Sequence, residues 1–231
     1  SNTIICTTGA VVFRAAEAYL NYIEACYEKN GSLDNDAAGY WKAIRRRAGV
    51  SEDYELTIAN TNLDKEANVV SGTVYGDLAV FSGDQKVDAT LYNIRRERRC
   101  ELMAEGLRYM DLMRWRAMDQ MISTPYHIEG FKLWGSMQHW YDNEDGTSQL
   151  VYGMDNPKAN VSDPAISPYL RPYEKNNNNL AKDGYRWAMA HYLEPYRIQD
   201  MDITSGGGSI ENSPIYQNPY WPTEPNMPPL K

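Results

Sequence analysis

Apolar residues recur at helical spacing through the first half of the chain, whereas the second half shows no sustained period. The first stripe predicts a helix from Val12 to Tyr27 that stops at Asn30-Gly31. A second helix should begin with a capping residue among residues 34–36 and end at Gly49. The short turn between them predicts a hairpin of two antiparallel helices.

Helical spacing returns after residue 87. A third helix is predicted from Asp88 or Thr90 to Glu105, Gly106 interrupts it, and a fourth is predicted from Leu107 to Ile122. Helix pairs of this kind, with small residues on the first helix, are typical of tetratricopeptide-like hairpins that stack on one another. Residues 51–87 are punctuated by glycines and are predicted as irregular, with a short helix at Leu63–Val70.

The composition changes sharply near residue 124. All 12 prolines, all 3 histidines and 4 of the 6 tryptophans follow it. Because proline breaks helices, residues 123–231 should be irregular, yet they are too aromatic to be disordered. We expect them to cover the helices with tyrosine and tryptophan side chains. The predicted fold is one domain over residues 1–231 that is mostly α, with tetratricopeptide-like hairpins at 10–122 and a loop-rich aromatic region after them.

Charge and cysteine content exclude several classes of protein. The net charge is −8, and the one basic cluster, Arg95–Arg99, contains Glu97, so no nucleic acid partner is expected. No run of eighteen apolar residues predicts a membrane span, and no signal peptide is visible. Cys6 lacks the preceding small residue and basic leader of a lipidation site. Three cysteines without Cys-x-x-Cys spacing do not predict disulfides or zinc, and Cys26 and Cys100 are expected to be buried thiols.

The most informative stretch is residues 94–116, which read IRRERRCELMAEGLRYMDLMRWR. Ile94, Glu97, Arg98, Glu101, Leu102 and Glu105 lie together on one helical face, and the charged residues among them carry both signs. Buried charges must be paired, so this face predicts an ion network that locks the two helices, with Arg95 and Arg99 also within reach of the glutamates. The predicted members are Glu97, Arg98, Glu101, Glu105, Arg108, Asp111 and Arg114. A metal site is not expected, because a di-metal carboxylate bundle needs Glu-x-x-His and no histidine precedes His127.

The pattern E-R-R-x-E-L-x-x-E-G-x-R-x-x-D-L-x-R-W in this stretch resembles the signature helix pair of the SusD/RagB family. Shorter phrases at 13–25, 43–50, 167–173, 190–196 and 213–222 are also similar to that family. The resemblance implies a non-catalytic, cofactor-free protein that captures a glycan at the outer membrane surface. It would hand this nutrient to a SusC-like TonB-dependent transporter, which the tetratricopeptide-like face would contact. Family members are longer and carry a lipidated cysteine, so the resemblance implies that this chain is the C-terminal half of one.

Aromatic side chains are the best candidates for a glycan site. The C–H faces of sugar rings stack on indole and phenol rings, while sugar hydroxyls need polar partners nearby. One glycine-flanked region combines both kinds of group, with Trp134, Trp140 and Tyr141 beside Gln138, His139, Asp142 and Asn143. A second, smaller group, Tyr185 and Trp187 with Arg186, follows the asparagine run at 176–179. Alternatively, these aromatics only seal the tail onto the helices, and Trp140 and Tyr141 are the pair expected to be exposed.

Other functions stay open at this point. The helical hairpins could form a protein-interaction module with no sugar site in this part of the protein. A glycoside hydrolase would need two carboxylates about 5–10 Å apart, and none of the 31 acidic residues lies in a motif that singles it out. The acidic loop Asp142–Gly146 is reminiscent of a calcium loop, but tyrosines occupy the first and last ligand positions of the EF-hand frame. No metal or cofactor is predicted, and no nucleophile elbow or phosphate-binding loop is present.

Overall fold

The structure, a computed structural model, describes residues 12–230. These residues form two compact units. The first comprises residues 12–66 and Ala79–Trp115, and the second comprises Ala67–Leu78 and residues 116–230. Helices dominate the regular structure, which confirms the mostly α fold. The single domain and the packing of the tail over the helices stay predictions.

The predicted first hairpin is present as α1 (Ala15–Asn30) and α2 (Asn35–Arg47). Asp34 caps α2, since its side chain accepts a hydrogen bond from the Ala37 backbone N–H at 2.8 Å. Gly31 ends α1 with a φ of 67°, a left-handed conformation that glycine adopts without strain. Helix α1 begins three residues later than predicted because Arg14 is extended.

Helix α1 packs against α2 and against α5 (Ala89–Glu101), and this contact builds the core of the first unit. The buried members of the core are apolar or aromatic: Leu20, Ile23, Cys26, Ala37, Trp41, Ile44, Tyr54, Ile94 and Leu102. Trp41 is 1 % exposed, and its ring stacks on Tyr54 with centroids 4.5 Å apart. The predicted stripe of α2 therefore faces the core.

Residues 51–87 are more regular than predicted. Two short helices, α3 (Tyr54–Ala59) and α4 (Leu63–Ala67), lead into two small antiparallel hairpins. The four strands are β1 (Val69–Val70), β2 (Thr73–Val74), β3 (Phe81–Ser82) and β4 (Gln85–Lys86). Helix α4 ends before the predicted Val70 because Asn68 has a positive φ of 44° and the chain turns into β1.

The second pair of helices is shorter than predicted. Helix α5 ends at Glu101, because Ala104 and Gly106 have φ values of 66° and 80° that no right-handed helix accommodates. The prediction of one helix from Leu107 to Ile122 is wrong. Helix α6 (Arg108–Arg114) stops before Arg116, whose φ is 52°, and a 3-10 turn leads to α7 (Gln120–Ser123).

The second unit is irregular, as the prolines predict, and α8 (Ile198–Thr204) is its longest helix among the described residues. Isolated backbone bonds connect its loops, for example from the Gly130 N–H to the Leu170 carbonyl at 2.8 Å. Gly184 combines a φ of 80° with close neighbours, since a Cβ there would lie 2.8 Å from Pro125 and 3.0 Å from His127. A side chain at position 184 would thus strain the backbone and displace the His127 ring.

The glutamates of the predicted ion network find partners mainly on the first hairpin. Arg45 Nη1 of α2 donates to Glu97 Oε2 at 2.9 Å. Glu101 pairs with Arg14 and Arg47, and Arg14 also binds Glu105. These arginines lie 52–91 residues earlier in the chain than the glutamates they bind. The network therefore locks α5 to the first hairpin, a connection that the local sequence did not reveal.

A second, more buried part of the network connects α1, α5 and α6. Arg98 Nε donates to Asp111 Oδ2 at 2.7 Å, and both side chains are almost completely buried. Arg114 bridges Asp111 and Glu24, and both terminal nitrogens of Arg114 lie 2.6 Å from the Glu24 carboxylate. Trp115 Nε1 also donates to Glu24, and the guanidinium of Arg108 lies 5.6 Å from the Trp115 ring. Glu24, a buried glutamate of α1, was not predicted as a member.

Two expectations about side-chain placement were wrong. Arg95 does not face the glutamates but is buried, and donates to the carbonyls of Ala79 and Phe81 at 3.1 and 3.0 Å. Burial lowers the pKa of Arg95 to about 10, and its guanidinium lies 4.8 Å from the Trp115 ring. Cys26 is a buried thiol as expected, but Cys100 is exposed, because it lies on the outer face of α5. Cys6 lies outside the described residues.

Glu24 should make the first unit sensitive to acid. Burial alone would raise the pKa of the Glu24 carboxyl, but hydrogen bonds from Arg114 and Trp115 outweigh it and lower the pKa below the ordinary 4.5. A carboxyl that ionises more readily when folded stabilises the protein above its unfolded-state pKa, and this contribution is lost as the pH falls through the folded-state pKa. We expect the stability difference between the wild type and Glu24→Gln to be constant above about pH 5 and to shrink below it.

Urea unfolding of both proteins at several values between about pH 7 and pH 3 measures this difference. Glu55→Gln, at an exposed position of α3, is the control and should stay close to the wild type at neutral pH. A stability difference for Glu24→Gln that grows as the pH falls would contradict the assignment of a paired, ionised Glu24.

Candidate functional site

Trp140 and Tyr141 lie side by side at the end of a 3-10 helix, Ser136–Tyr141, in the second unit. Trp140 is 76 % exposed and Tyr141 is 37 % exposed. Among residues 12–230, no aromatic ring packs against the Trp140 indole. Covering this indole with a ligand would remove a large apolar area from water. We call this surface, residues 138–145, the Trp140 surface.

The loop that follows the rings is held by hydrogen bonds. The Asn143 N–H donates to the Thr147 carbonyl at 2.7 Å, and the Gln149 N–H donates to the Tyr141 carbonyl at 2.8 Å. Asp145 accepts bonds from the hydroxyl and the N–H of Thr147, which hold the pKa of its carboxyl below the usual range. The loop is thus a closed turn rather than an open excursion.

Polar groups of the predicted kind flank the rings in sequence and are hydrogen-bonded to one another or to the loop. His139 Nδ1 lies 2.9 Å from Asp142 Oδ2, and both residues are exposed. The Asn143 side chain donates to the Thr147 hydroxyl at 2.9 Å, which fixes the direction of its amide. The surface therefore offers a flat apolar face with carboxylate, imidazole and amide groups next to it, a combination that suits a ligand with both C–H faces and hydroxyls.

Trp134 has a different environment from Trp140. Its indole is partly buried, donates to the Ser162 carbonyl at 3.1 Å and packs edge-on against Tyr152 with centroids 5.2 Å apart. These contacts favour an anchoring role for Trp134 within the unit. Tyr152 is about half exposed, and it was not a candidate from sequence.

The second predicted group is also divided by the structure. Tyr185 is partly exposed, and it pairs through its backbone with Tyr126 and packs edge-on against Tyr173 at 5.7 Å. Trp187 is partly buried, with His191 and Tyr192 rings at 5.3 and 5.2 Å. The environment of Trp187 favours the alternative that some tail aromatics only seal the fold.

Metal-dependent chemistry has no candidate group in the part of the chain that the structure describes. No cluster of three or more His, Cys, Asp and Glu side chains there could hold a metal ion. In the acidic loop, Asp145 is instead hydrogen-bonded to Thr147, and Asp142 is hydrogen-bonded to His139. The Trp140 surface thus offers binding groups, arranged around one indole face.

The family model described as the SusD family matches residues 2–221 of the 231-residue chain. The chain belongs to the SusD family. This confirms the resemblance seen in residues 94–116, and family members generally act as accessory proteins that bind glycans at the outer membrane. No match was found among curated proteins, and none was found among solved structures.

Membership of the SusD family gives the exposed aromatics a context. SusD proteins are generally binding proteins and not catalysts. Within residues 12–230, no helix has both the length and the apolar character needed to cross a bilayer. The family match does not identify a ligand surface. The candidates are therefore exposed side chains such as Trp140.

Proposed function

We propose that this SusD protein binds an oligosaccharide or glycan at the Trp140 surface without cleaving it and passes it to a SusC-like TonB-dependent transporter. The full-length protein would be held by a lipid anchor on the outside of the outer membrane. The observation that carries the proposal is the open indole of Trp140, next to hydrogen-bonded polar groups, in a chain of a glycan-binding family.

Binding would rest on stacking and on preorganised polar groups. A sugar ring placed on Trp140 removes apolar area of both partners from water, while Asp142 and Asn143 can bond to its hydroxyls. Hydrogen bonds between His139 and Asp142 and from Asn143 to Thr147 already hold these side chains. Little conformational entropy is therefore lost on binding, which matters because a single sugar ring offers few contacts.

The first unit offers a surface for a protein partner. Tyr19 of α1 stacks on Tyr40 of α2 with centroids 4.5 Å apart, and Tyr22 packs edge-on against Tyr40 at 5.4 Å. Tyr19 and Tyr22 are exposed, and tyrosine is enriched at protein interfaces. This supports the hairpin as the contact to the transporter. It also favours, as a second candidate function, a protein-interaction module.

The double variant Trp140→Ala, Tyr141→Ala should lose most of the glycan binding. Loss of a central aromatic contact typically costs at least about 2 kcal/mol, a roughly 30-fold weaker affinity. Retardation in native gels cast with a panel of polysaccharides measures this, first for the wild type and then for the variant. Tyr216→Ala removes another very exposed ring, at 87 % exposure, and should bind like the wild type.

Each alternative has its own outcome in the same experiments. Unchanged retardation of the double variant would eliminate the Trp140 surface, and Tyr185→Ala would then be tested in the same gels. Release of reducing ends from a retarded polysaccharide would show hydrolysis and contradict a binding-only function. If no polysaccharide slows the wild type, a helical hairpin that binds only protein becomes the better explanation.

A further inference from the structure

The permanent charges that flank the Trp140 surface in sequence are all of one sign. Residues 133–157 contain no lysine or arginine but four acidic residues, Asp142, Glu144, Asp145 and Asp155. The first three follow Trp140 within five positions and are all exposed. The residues nearest in sequence to the open indole thus supply anionic and neutral partners and no permanent cation.

These carboxylates lie close enough to act on a bound sugar. A chain spans at most about 3.5 Å per residue, so the Cα atoms of Asp142 and Glu144 lie within about 7 and 14 Å of that of Trp140. The turn closed by Asn143 and Thr147 keeps them on the loop that carries the rings. Screening at physiological salt acts over about 8 Å. The Asp142 carboxylate is therefore expected to act on the sugar ring stacked on Trp140, and the Glu144 carboxylate on the next ring of the same glycan.

The one basic group beside the rings does not reverse this balance. His139 Nδ1 is already engaged with Asp142 Oδ2 at 2.9 Å. Even a protonated His139 would offset one carboxylate and leave Glu144 and Asp145 uncompensated. Recognition of a carboxylate or sulfate ester normally relies on arginine or lysine, and the nearest such residues in sequence are Lys132 and Lys158.

We propose that the Trp140 surface selects uncharged glycans and rejects those that carry uronate or sulfate groups. The inference rests on the proposed function, since it specifies the ligand class of the same surface. Sugar hydroxyls can donate to Asp142 and Glu144, whereas an anionic sugar brings a like charge to these carboxylates. Selectivity thus comes from the loop carboxylates, and contact area comes from the indole.

The test compares polysaccharides that share a backbone and differ in charge. Suitable pairs are hydroxyethyl and carboxymethyl cellulose, dextran and dextran sulfate, and methyl-esterified and de-esterified pectin. Isothermal titration of the wild-type chain at physiological salt should show tighter binding to the uncharged member of a pair. The double variant Asp142→Asn, Glu144→Gln should narrow the preference for the uncharged member about threefold to tenfold, because the anionic member no longer meets a like charge and binds more tightly.

The outcomes separate this inference from the proposed function. If an anionic member binds as tightly as its uncharged partner and Trp140→Ala abolishes both, the charge selectivity is overturned while glycan binding stands. A preference for uncharged glycans that the double variant leaves intact would also overturn it. If no member of any pair binds in a manner that depends on Trp140, the proposed function fails and the inference falls with it.

Discussion

Replacement of Asp111 by alanine should lower the free energy of unfolding by about 3–5 kcal/mol, the usual cost of removing one partner from a buried ion pair. Asp111 is 4 % exposed and accepts from Arg98 at 2.7 Å and from Arg114 at 3.0 Å. Without the carboxylate, the buried Arg98 guanidinium keeps its bond to Asn21 Oδ1 but has lost its counter-ion. For a chain of this size such a loss corresponds to a midpoint of thermal unfolding lower by about 10 °C.

Chemical unfolding of the wild type and Asp111→Ala, followed by circular dichroism, provides the measurement. Glu52→Ala is the matched control, because Glu52 also binds an arginine in a two-point contact, with Arg46, but on the surface, where ion pairs contribute little. A second variant, Arg98→Met with Asp111→Leu, removes both charges of the pair and should recover part of the loss. Equal, small effects of Asp111→Ala and Glu52→Ala would show that the network does not stabilise the fold.

The helical part of the fold follows from local signals. Caps at Asp34 and Asp88, the stop at Gly31 and the apolar stripe around Trp41 are all confirmed. The break at Arg116 was missed because a positive φ at a non-glycine residue is imposed by tertiary structure and leaves no mark in the sequence period. The same reason explains why the helices of the second pair are shorter than the spacing of their apolar residues predicts.

The charge motif of α5 predicted that its side chains are paired, but not which residues pair with them. Alternating charges on α5 predicted pairing correctly, since burial of a lone charge is costly. The partners Arg14, Arg45 and Glu24 belong to the first hairpin or directly precede it, far away in sequence, and only the packing of this hairpin against α5 brings them together. The motif therefore identified the need for counter-ions without identifying which residues supply them.

At the candidate site, composition predicted a polar aromatic loop but not the contacts of each ring. Trp134 and Trp140 are six residues apart in one glycine-flanked segment, and the expectation that Trp140 and Tyr141 are the exposed pair agrees with their exposure. The difference between the two indoles arises from the Ser162 carbonyl and the Tyr152 ring, both distant in sequence, which hold only Trp134. Exposure of an aromatic ring depends on such long-range contacts, which a single sequence does not specify.

Two tryptophan-to-alanine substitutions should therefore have opposite consequences. Trp41→Ala should cost about 3–5 kcal/mol of stability, as for other buried tryptophans, because it opens a cavity in the core. It also leaves the Tyr54 ring unstacked and removes the indole N–H that binds Glu97 at 2.9 Å. Trp140→Ala removes the same side chain from a position that is 76 % exposed, and the free energy of unfolding should change little.

The two variants together distinguish an effect on folding from an effect on glycan binding. Urea unfolding of both variants, with polysaccharide binding measured below the unfolding transition, should show Trp41→Ala destabilised but still binding while folded. Trp140→Ala should be stable and deficient in binding. If Trp140→Ala is as destabilised as Trp41→Ala, its indole is a packing group, and its loss of binding would no longer argue for a ligand surface. A stable Trp140→Ala that fails to bind would assign the open indole to ligand recognition, because no contribution to folding would remain to explain it.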